Sequence, residues 1–262
     1  MKVAIIYYST YGHIVAMAEA VKAGIEKTGK ASKVTIFQVQ ETLPKEVLDK
    51  MHAPAKPSYP IATQETLTDY DAFVFGYPTR FGNLPAQLSE YLGQTGGLWA
   101  SGALQGKPVT FFTSVSSASG GQETTLRNFL PYVAHHGLIY IPLGYGAAFP
   151  DLTNLDEVHG GSPYGAATLA GADGSRQPSV LEKRIASTQG EVFAKSAIKF
   201  VHTKEAPKAP AAAKTSDKTA IKPAEKVAEK PAAKPAQEAR TTQSKPTAQL
   251  EEKSGCAKCV IM

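Results

Sequence analysis

Cysteine is nearly missing from this chain of 262 residues: the only two, Cys256 and Cys259, stand at its extreme C-terminus. No disulfide can brace the fold, which has to rest on a packed core in what reads as a reducing compartment. Long apolar runs are missing too, and no stretch reaches the roughly 18 residues that a membrane-spanning helix needs. The start does not read as a leader, because Lys2 opens a short apolar run that breaks at Ser9 without a small-residue cleavage site. Charge of one sign is scarce over most of the length. Of 28 basic residues 12 fall in 204–262, against 7 of the 23 acidic ones, so 1–203 carries 16 of each. A balanced body offers no groove for nucleic acid, and the net +5 belongs to the tail.

What is present is an alternation of strand and helix patterns. Lys2–Tyr8 is a continuous β-branched and aromatic run, as in a strand buried on both faces. Ile14, Met17, Ala18, Val21 and Ile25 then recur at helical spacing until Gly29. Further strands are expected at Val34–Val39, Ala72–Tyr77, Val109–Ser114 and Leu138–Pro142, with a helix over Gln122–His136 and a last one over Val180–Val201. Strands separated by helices imply right-handed crossovers, hence an α/β fold: a doubly wound, five-stranded parallel sheet with helices on both faces. Residues 143–178 are Gly-rich and aperiodic, and read as an ordered lid or a subunit contact.

Beyond residue 203 the composition shifts to Lys, Ala and Pro. Lysines at 214, 218, 222, 226, 230 and 234 would stack like charges on one helix face, and Pro223, Pro231 and Pro235 would break that helix. The expected organisation is therefore a folded domain over 1–203, a disordered linker over 204–255 and a short segment over 256–262. Cys256 and Cys259 form a C-x-x-C, but without a second ligand pair or a thioredoxin-like context it reads neither as a zinc site nor as a redox site. Cys259-Val260-Ile261-Met262 reads instead as a prenylation box. One prenyl chain holds a membrane only reversibly, which makes Cys256 the candidate palmitoylation site. The expected location is the cytosolic face of the plasma membrane, on a lipid anchor. Seven acidic residues in the tail argue against a nucleic-acid arm.

Three loops leave strand ends, where ligands of such sheets bind. Ser9-Thr10-Tyr11-Gly12-His13-Ile14 offers hydroxyls and N–H groups at a helix start, which suits a phosphate dianion. It matches neither G-x-x-x-x-G-K-[ST] nor G-x-G-x-x-G, and its lack of lysine fits a small monophosphate, as in a mononucleotide. Pro78-Thr79-Arg80-Phe81-Gly82-Asn83 offers N–H donors, a cation and an aromatic ring, which fit the polar edge of a flat heterocycle. The third loop is Ser114-Val115-Ser116-Ser117-Ala118-Ser119-Gly120-Gly121.

The runs YYSTYGHI (7–14), PTRFGN (78–83), TGGLWASGALQGKPV (95–109), GGQETT (120–125), AHHG (134–137) and HGGSPYGAATLAGADGSRQPS (159–179) resemble the WrbA family of flavodoxin-like NAD(P)H:quinone oxidoreductases. The likeness covers about 1–203, and the lysine-rich tail resembles that of fungal members. It implies FMN as cofactor, NADH or NADPH as donor, a quinone as acceptor, ping-pong turnover, an antioxidant role and a homotetramer with each flavin at a subunit junction. By the same resemblance the first loop holds the FMN phosphate, Thr79–Phe81 the isoalloxazine, and the third loop the rest of the flavin. His135 would sit beside the ring as the catalytic proton donor. Trp99, from a neighbouring subunit, and Tyr11 would meet quinone and nicotinamide. One departure stands out: Ser116 and Ser119 replace glycines of relatives. Should either position need φ > 0, FMN would bind about tenfold more weakly, which leaves a catalytically weak flavin sensor or scaffold as the alternative.

Overall fold

The computed structural model describes residues 1–201. The expected linker over 204–255 and the segment with Cys256 and Cys259 lie outside the described residues. Five parallel positions form the sheet: β1 (Lys2–Tyr7), β2 (Lys33–Gln38), β3 (Ala72–Pro78), β4 (Pro108–Val115) and β5 (Ile139–Tyr140), in the order β2-β1-β3-β4-β5. This is the flavodoxin-like order, with its switch point between β1 and β3.

Alternation on β1 sorts the core into two layers. Val3, Ile5 and Tyr7 face α1 (His13–Lys27) and α9 (Val180–Val201), while Ala4, Ile6 and Tyr8 face the opposite layer. The stripe of Ile14, Met17, Ala18, Val21 and Ile25 on α1 is fully buried, as its spacing requires. Helix α1 lies so close to α9 that a Cβ on Gly24 would come within 1.9 Å of Ser187 O, and one on Gly190 within 2.2 Å of Val21 O. On the other face Phe129 stacks among Phe75, Phe111 and Tyr77. The surrounding helices are α3 (Gln64–Asp69), α4 (Ala86–Gly93), α6 (Gln122–Arg127) and α7 (Leu130–His136); α2 (Lys45–Lys50) has no buried residue. Buried Lys107 donates to the carbonyls of Leu67, Thr68 and Tyr70, covering the end of α3. Among the described residues no helix is long and apolar enough to cross a membrane.

Two expectations are corrected. The single helix over Gln122–His136 is two, because Pro131, in the first turn of α7, has no N–H to donate back to Arg127 O. The fifth strand is also in two pieces. β5 pairs only with Pro108 and Val109, and β6 (Ala167–Leu169) takes up the same edge beside Thr113–Val115. The Gly-rich stretch is thus an ordered insertion, carrying α8 (Phe149–Leu152), and its far end rejoins the sheet.

Glu182 holds that insertion in place. It closes a capping box with Ser179 at the start of α9, donating its N–H to Ser179 Oγ and accepting from Ser179 N–H at 2.8 Å. The same carboxylate accepts from Gly160 N–H, Leu169 N–H, Thr168 Oγ1 and the Arg176 guanidinium. Glu182 is 0% exposed. Burial alone would raise its pKa, but the hydrogen bonds from Ser179, Arg176, Gly160 and Leu169 outweigh it and hold the group below its ordinary 4.5. A depressed folded pKa adds stability that is complete above about pH 5 and is lost as pH falls through the folded value. Glu182→Gln is expected to cost about 3 kcal/mol at pH 7. It should also flatten the acid limb of the stability–pH profile, measured by denaturant unfolding; an acid limb as steep as that of the wild type would refute this role.

Candidate functional site

The three loops emerge together at the C-terminal ends of β1, β3 and β4. Ser9 and Thr10 are buried there. Gly12 takes φ +91° at the N-terminal boundary of α1, and its N–H is bound by Ser9 Oγ at 3.0 Å. A Cβ on Gly12 would touch nothing, so the backbone turn, not space, demands glycine. No side chain caps α1 and no acidic residue lies in its first turn, so the N–H groups of His13, Ile14 and Val15 open onto this loop without a negative neighbour. The side chains of His13 and Ile14 point elsewhere. Ile14 is in the core, and His13 Nε2 donates to Arg176 O at 3.0 Å, tying the helix start to the insertion. Tyr11 is partly exposed and donates to Met51 O.

The second loop spends most of its donors on itself, contrary to the open array expected from the sequence. Thr79 N–H goes to Ser114 O, Gly82 N–H to Thr79 Oγ1, and Arg80 and Asn83 exchange both backbone bonds. That exchange closes a two-residue turn in which both Phe81 (φ 53°) and Gly82 (φ 75°) are left-handed. A bulky residue pays for this conformation, and Phe81 is held at 97% exposure. Its N–H has no partner among the described residues. Arg80 donates to Thr79 O at 2.9 Å and to Thr10 Oγ1 at 3.3 Å, bridging the second loop to the first. Pro78 pairs with Ser114 at the strand ends.

In the third loop Ser114 and Val115 close β4, and Ser117, Ala118 and Ser119 form an exposed tip. Gly120 N–H donates to Ser117 O, and Ser116 O and Val115 O accept from Gly171 and Ala170 of the insertion. Only Gly121, at φ 83°, is left-handed; neither Ser116 nor Ser119 is. The backbone penalty foreseen for the two serines does not arise.

Behind the first two loops lies a network that the sequence reading missed. Thr10 Oγ1 donates to Tyr8 OH, and Tyr8 OH donates to Glu41, which also accepts from Lys56 Nζ at 2.5 Å and Gln87 Nε2 at 3.0 Å. Burial pushes the Tyr8 phenol up to about 12, so it remains a donor. Burial would raise Glu41 as well, but Lys56 and the N–H groups of Leu43 and Thr42 bring it below 4.5. No motif announces this cluster, because its members come from four separate segments.

His135 and Trp99 lie elsewhere. Trp99, on α5 (Gly96–Ala100), and His135, at the end of α7, flank the start of β4 and β5. The loops sit at the other end of β4, whose eight residues span about 25 Å. Within one chain His135 therefore does not stand beside the three loops.

Residues 1–148 match the family described as NADPH-dependent FMN reductase. NAD(P)H quinone oxidoreductase YCP4 of Candida albicans is 56% identical over 290 aligned residues, covering 100% of both chains. Quinone-oxidoreductase QR2 of Triphysaria versicolor is 48% identical over 74% of this chain and 93% of its own. Among solved structures, a flavodoxin, WrbA-like protein from Agrobacterium tumefaciens superposes with a TM-score of 0.53 at 22% identity, over 76% of this chain and 98% of that one. The chain belongs to the NADPH-dependent FMN reductase family, and it has the flavodoxin-like fold that its WrbA-like motifs implied.

Proposed function

We propose that this protein reduces quinones by two electrons at the expense of NAD(P)H, with FMN held by the three strand-end loops. The observation that carries the reading is the uncapped start of α1, ringed by buried Ser9 and Thr10 and free of acidic residues. That donor set fits a phosphate dianion. In this reading Ser9, Thr10, Gly12 and the N–H groups of His13 and Ile14 hold the phosphate. Thr79, Arg80 and the free N–H of Phe81 address the ring edge, and Ser116–Gly121 close around it. Bound there, FMN supplies the hydride acceptance and two-electron delivery that these side chains lack.

Arg80 brings a fixed positive charge to the ring edge, where electron density gathers. Phe81 offers an exposed aromatic face to a flat partner. Because His135 and Trp99 lie about one strand length from the loops of their own chain, the reading requires a second copy to bring them. His135 then holds a proton at its imidazole for the quinol oxygen, and Trp99 and Tyr11 bound the face that nicotinamide and quinone share in turn. A homotetramer, as the resemblance implies, would meet this requirement. The weak-flavin alternative loses its motive, since Ser116 and Ser119 are not left-handed. The second part of the proposal is a lipid tether at Cys259, supported by Cys256, which keeps the enzyme where quinones partition. It rests on the sequence alone.

The purified protein should show flavin absorbance that NADH bleaches and benzoquinone restores, with parallel double-reciprocal lines. A colourless protein that takes up no added FMN refutes the assignment. Arg80→Ala should weaken FMN binding by about 10- to 100-fold, the worth of charge-assisted hydrogen bonds, in a fluorescence titration. An unchanged affinity would remove Arg80 from the site. Cys259→Ser should leave the membrane pellet for the soluble fraction; unchanged fractionation would dispose of the anchor.

A further inference from the structure

Trp99, the only tryptophan of the chain, stands on a helix without a single fully buried residue. Helix α5 has five residues, two of them glycine, and only Leu98 among them is partly buried. A helix this short does not hold itself. Its fixed point is Thr95 at its N-terminal boundary, 3% exposed, whose carbonyl accepts from Trp99 N–H at 2.9 Å.

The Thr95 hydroxyl is saturated. It donates its one proton to Leu92 O at 2.6 Å, accepts from Tyr132 OH at 3.2 Å, and faces His136 Nε2 at 3.0 Å. With that proton spent, Nε2 must carry the hydrogen, which leaves Nδ1 bare on a neutral ring. Nδ1 is buried and has no partner among the described residues. Burial, and next the neighbouring His135, keep His136 below the usual 6.5, so the ring stays neutral. The Tyr132 ring, 4.5 Å from the imidazole centre, packs against it. An orphaned buried nitrogen is a cost that leucine at this place would avoid, so the bond to Thr95 is what the histidine provides.

We propose that His136 is a positioning residue, whose bond to Thr95 locks α5 to α7 so that Trp99 and His135 are presented together to the flavin site of a second copy of this chain. The proposal rests on the reading above that both residues serve that site. His135 adjoins His136 in sequence and Trp99 lies one helical turn past Thr95, so this bond, beside that of Tyr132 to the same hydroxyl, fixes the spacing of the pair at its histidine end. Exposure of Trp99 at 57% fits a ring that is completed by another protomer.

The test uses the full-length flavoprotein. His136→Leu and Thr95→Val remove the bond, His136→Gln places an amide N–H where Nε2–H stood, and Trp99→Ala measures the indole's own contribution. Excited at the red edge, beyond tyrosine absorption, and read in the ultraviolet, away from flavin emission, the single tryptophan reports α5 through its anisotropy. His136→Leu and Thr95→Val should lower that anisotropy and reduce kcat/KM for quinone about five- to tenfold, chiefly through KM, at unchanged FMN content. His136→Gln should restore both. Unchanged anisotropy in His136→Leu, or a loss of turnover that His136→Gln does not recover, overturns the positioning role. Full turnover in Trp99→Ala overturns the underlying reading and the proposal with it. That failure is distinguished because the anisotropy change in His136→Leu would then stand without any kinetic counterpart.

Discussion

The buried carboxylate of Glu182 joins parts of the chain that otherwise have little reason to meet. It caps the start of α9, binds Gly160 on the outgoing side of the insertion, and binds Leu169 and Thr168 on β6. A charge removed from water this completely is tolerable only when its lone pairs are filled by donors, one of them cationic, and Arg176 provides that cation. Arg176 then passes the constraint on: its carbonyl accepts from His13, which opens α1. The turn read as the phosphate cradle is thus tied to the insertion, and this carboxylate, together with the pairing of β6 on β4, holds the insertion against the sheet.

The loops themselves show how a binding surface is kept selective. Most N–H groups of the second loop are used in its own turn, so the few donors left over are aimed rather than general. Arg80 gains rigidity by spanning two loops, and the hydroxyl that receives it is held from behind by Tyr8, Glu41 and Lys56. A guanidinium with defined partners loses less entropy on meeting a ligand than a free one. The left-handed Phe81 fits the same pattern, since strained and exposed residues persist where they serve a contact outside their own fold.

A parallel sheet has two ends, and this chain carries functional candidates at both. The loops occupy the carboxyl end, while Trp99 and His135 occupy the amino end of the same strands. The proposed reaction reconciles them through association of copies, in which the amino end of one meets the carboxyl end of another. Aromatic rings that a monomer would leave in water, Phe81 and Trp99, then acquire a partner.

Local chemistry made much of this protein readable in advance. The buried strands, the stripe of α1, the limits of α9 and the three loops follow from periods of two and 3.6 residues and from glycine punctuation, which are properties of short segments. What the sequence could not disclose depends on distance along the chain. That Glu182 reaches Leu169, that Glu41 meets Tyr8 and Gln87, and that His136 meets Thr95 are facts of packing between separate elements. The division of the fifth strand and the placement of His135 away from the loops are of the same kind. Hydrophobic pattern determines which residues are buried; only the folded sheet decides which buried polar groups find one another, because each must be satisfied by whatever donor the tertiary arrangement brings within reach.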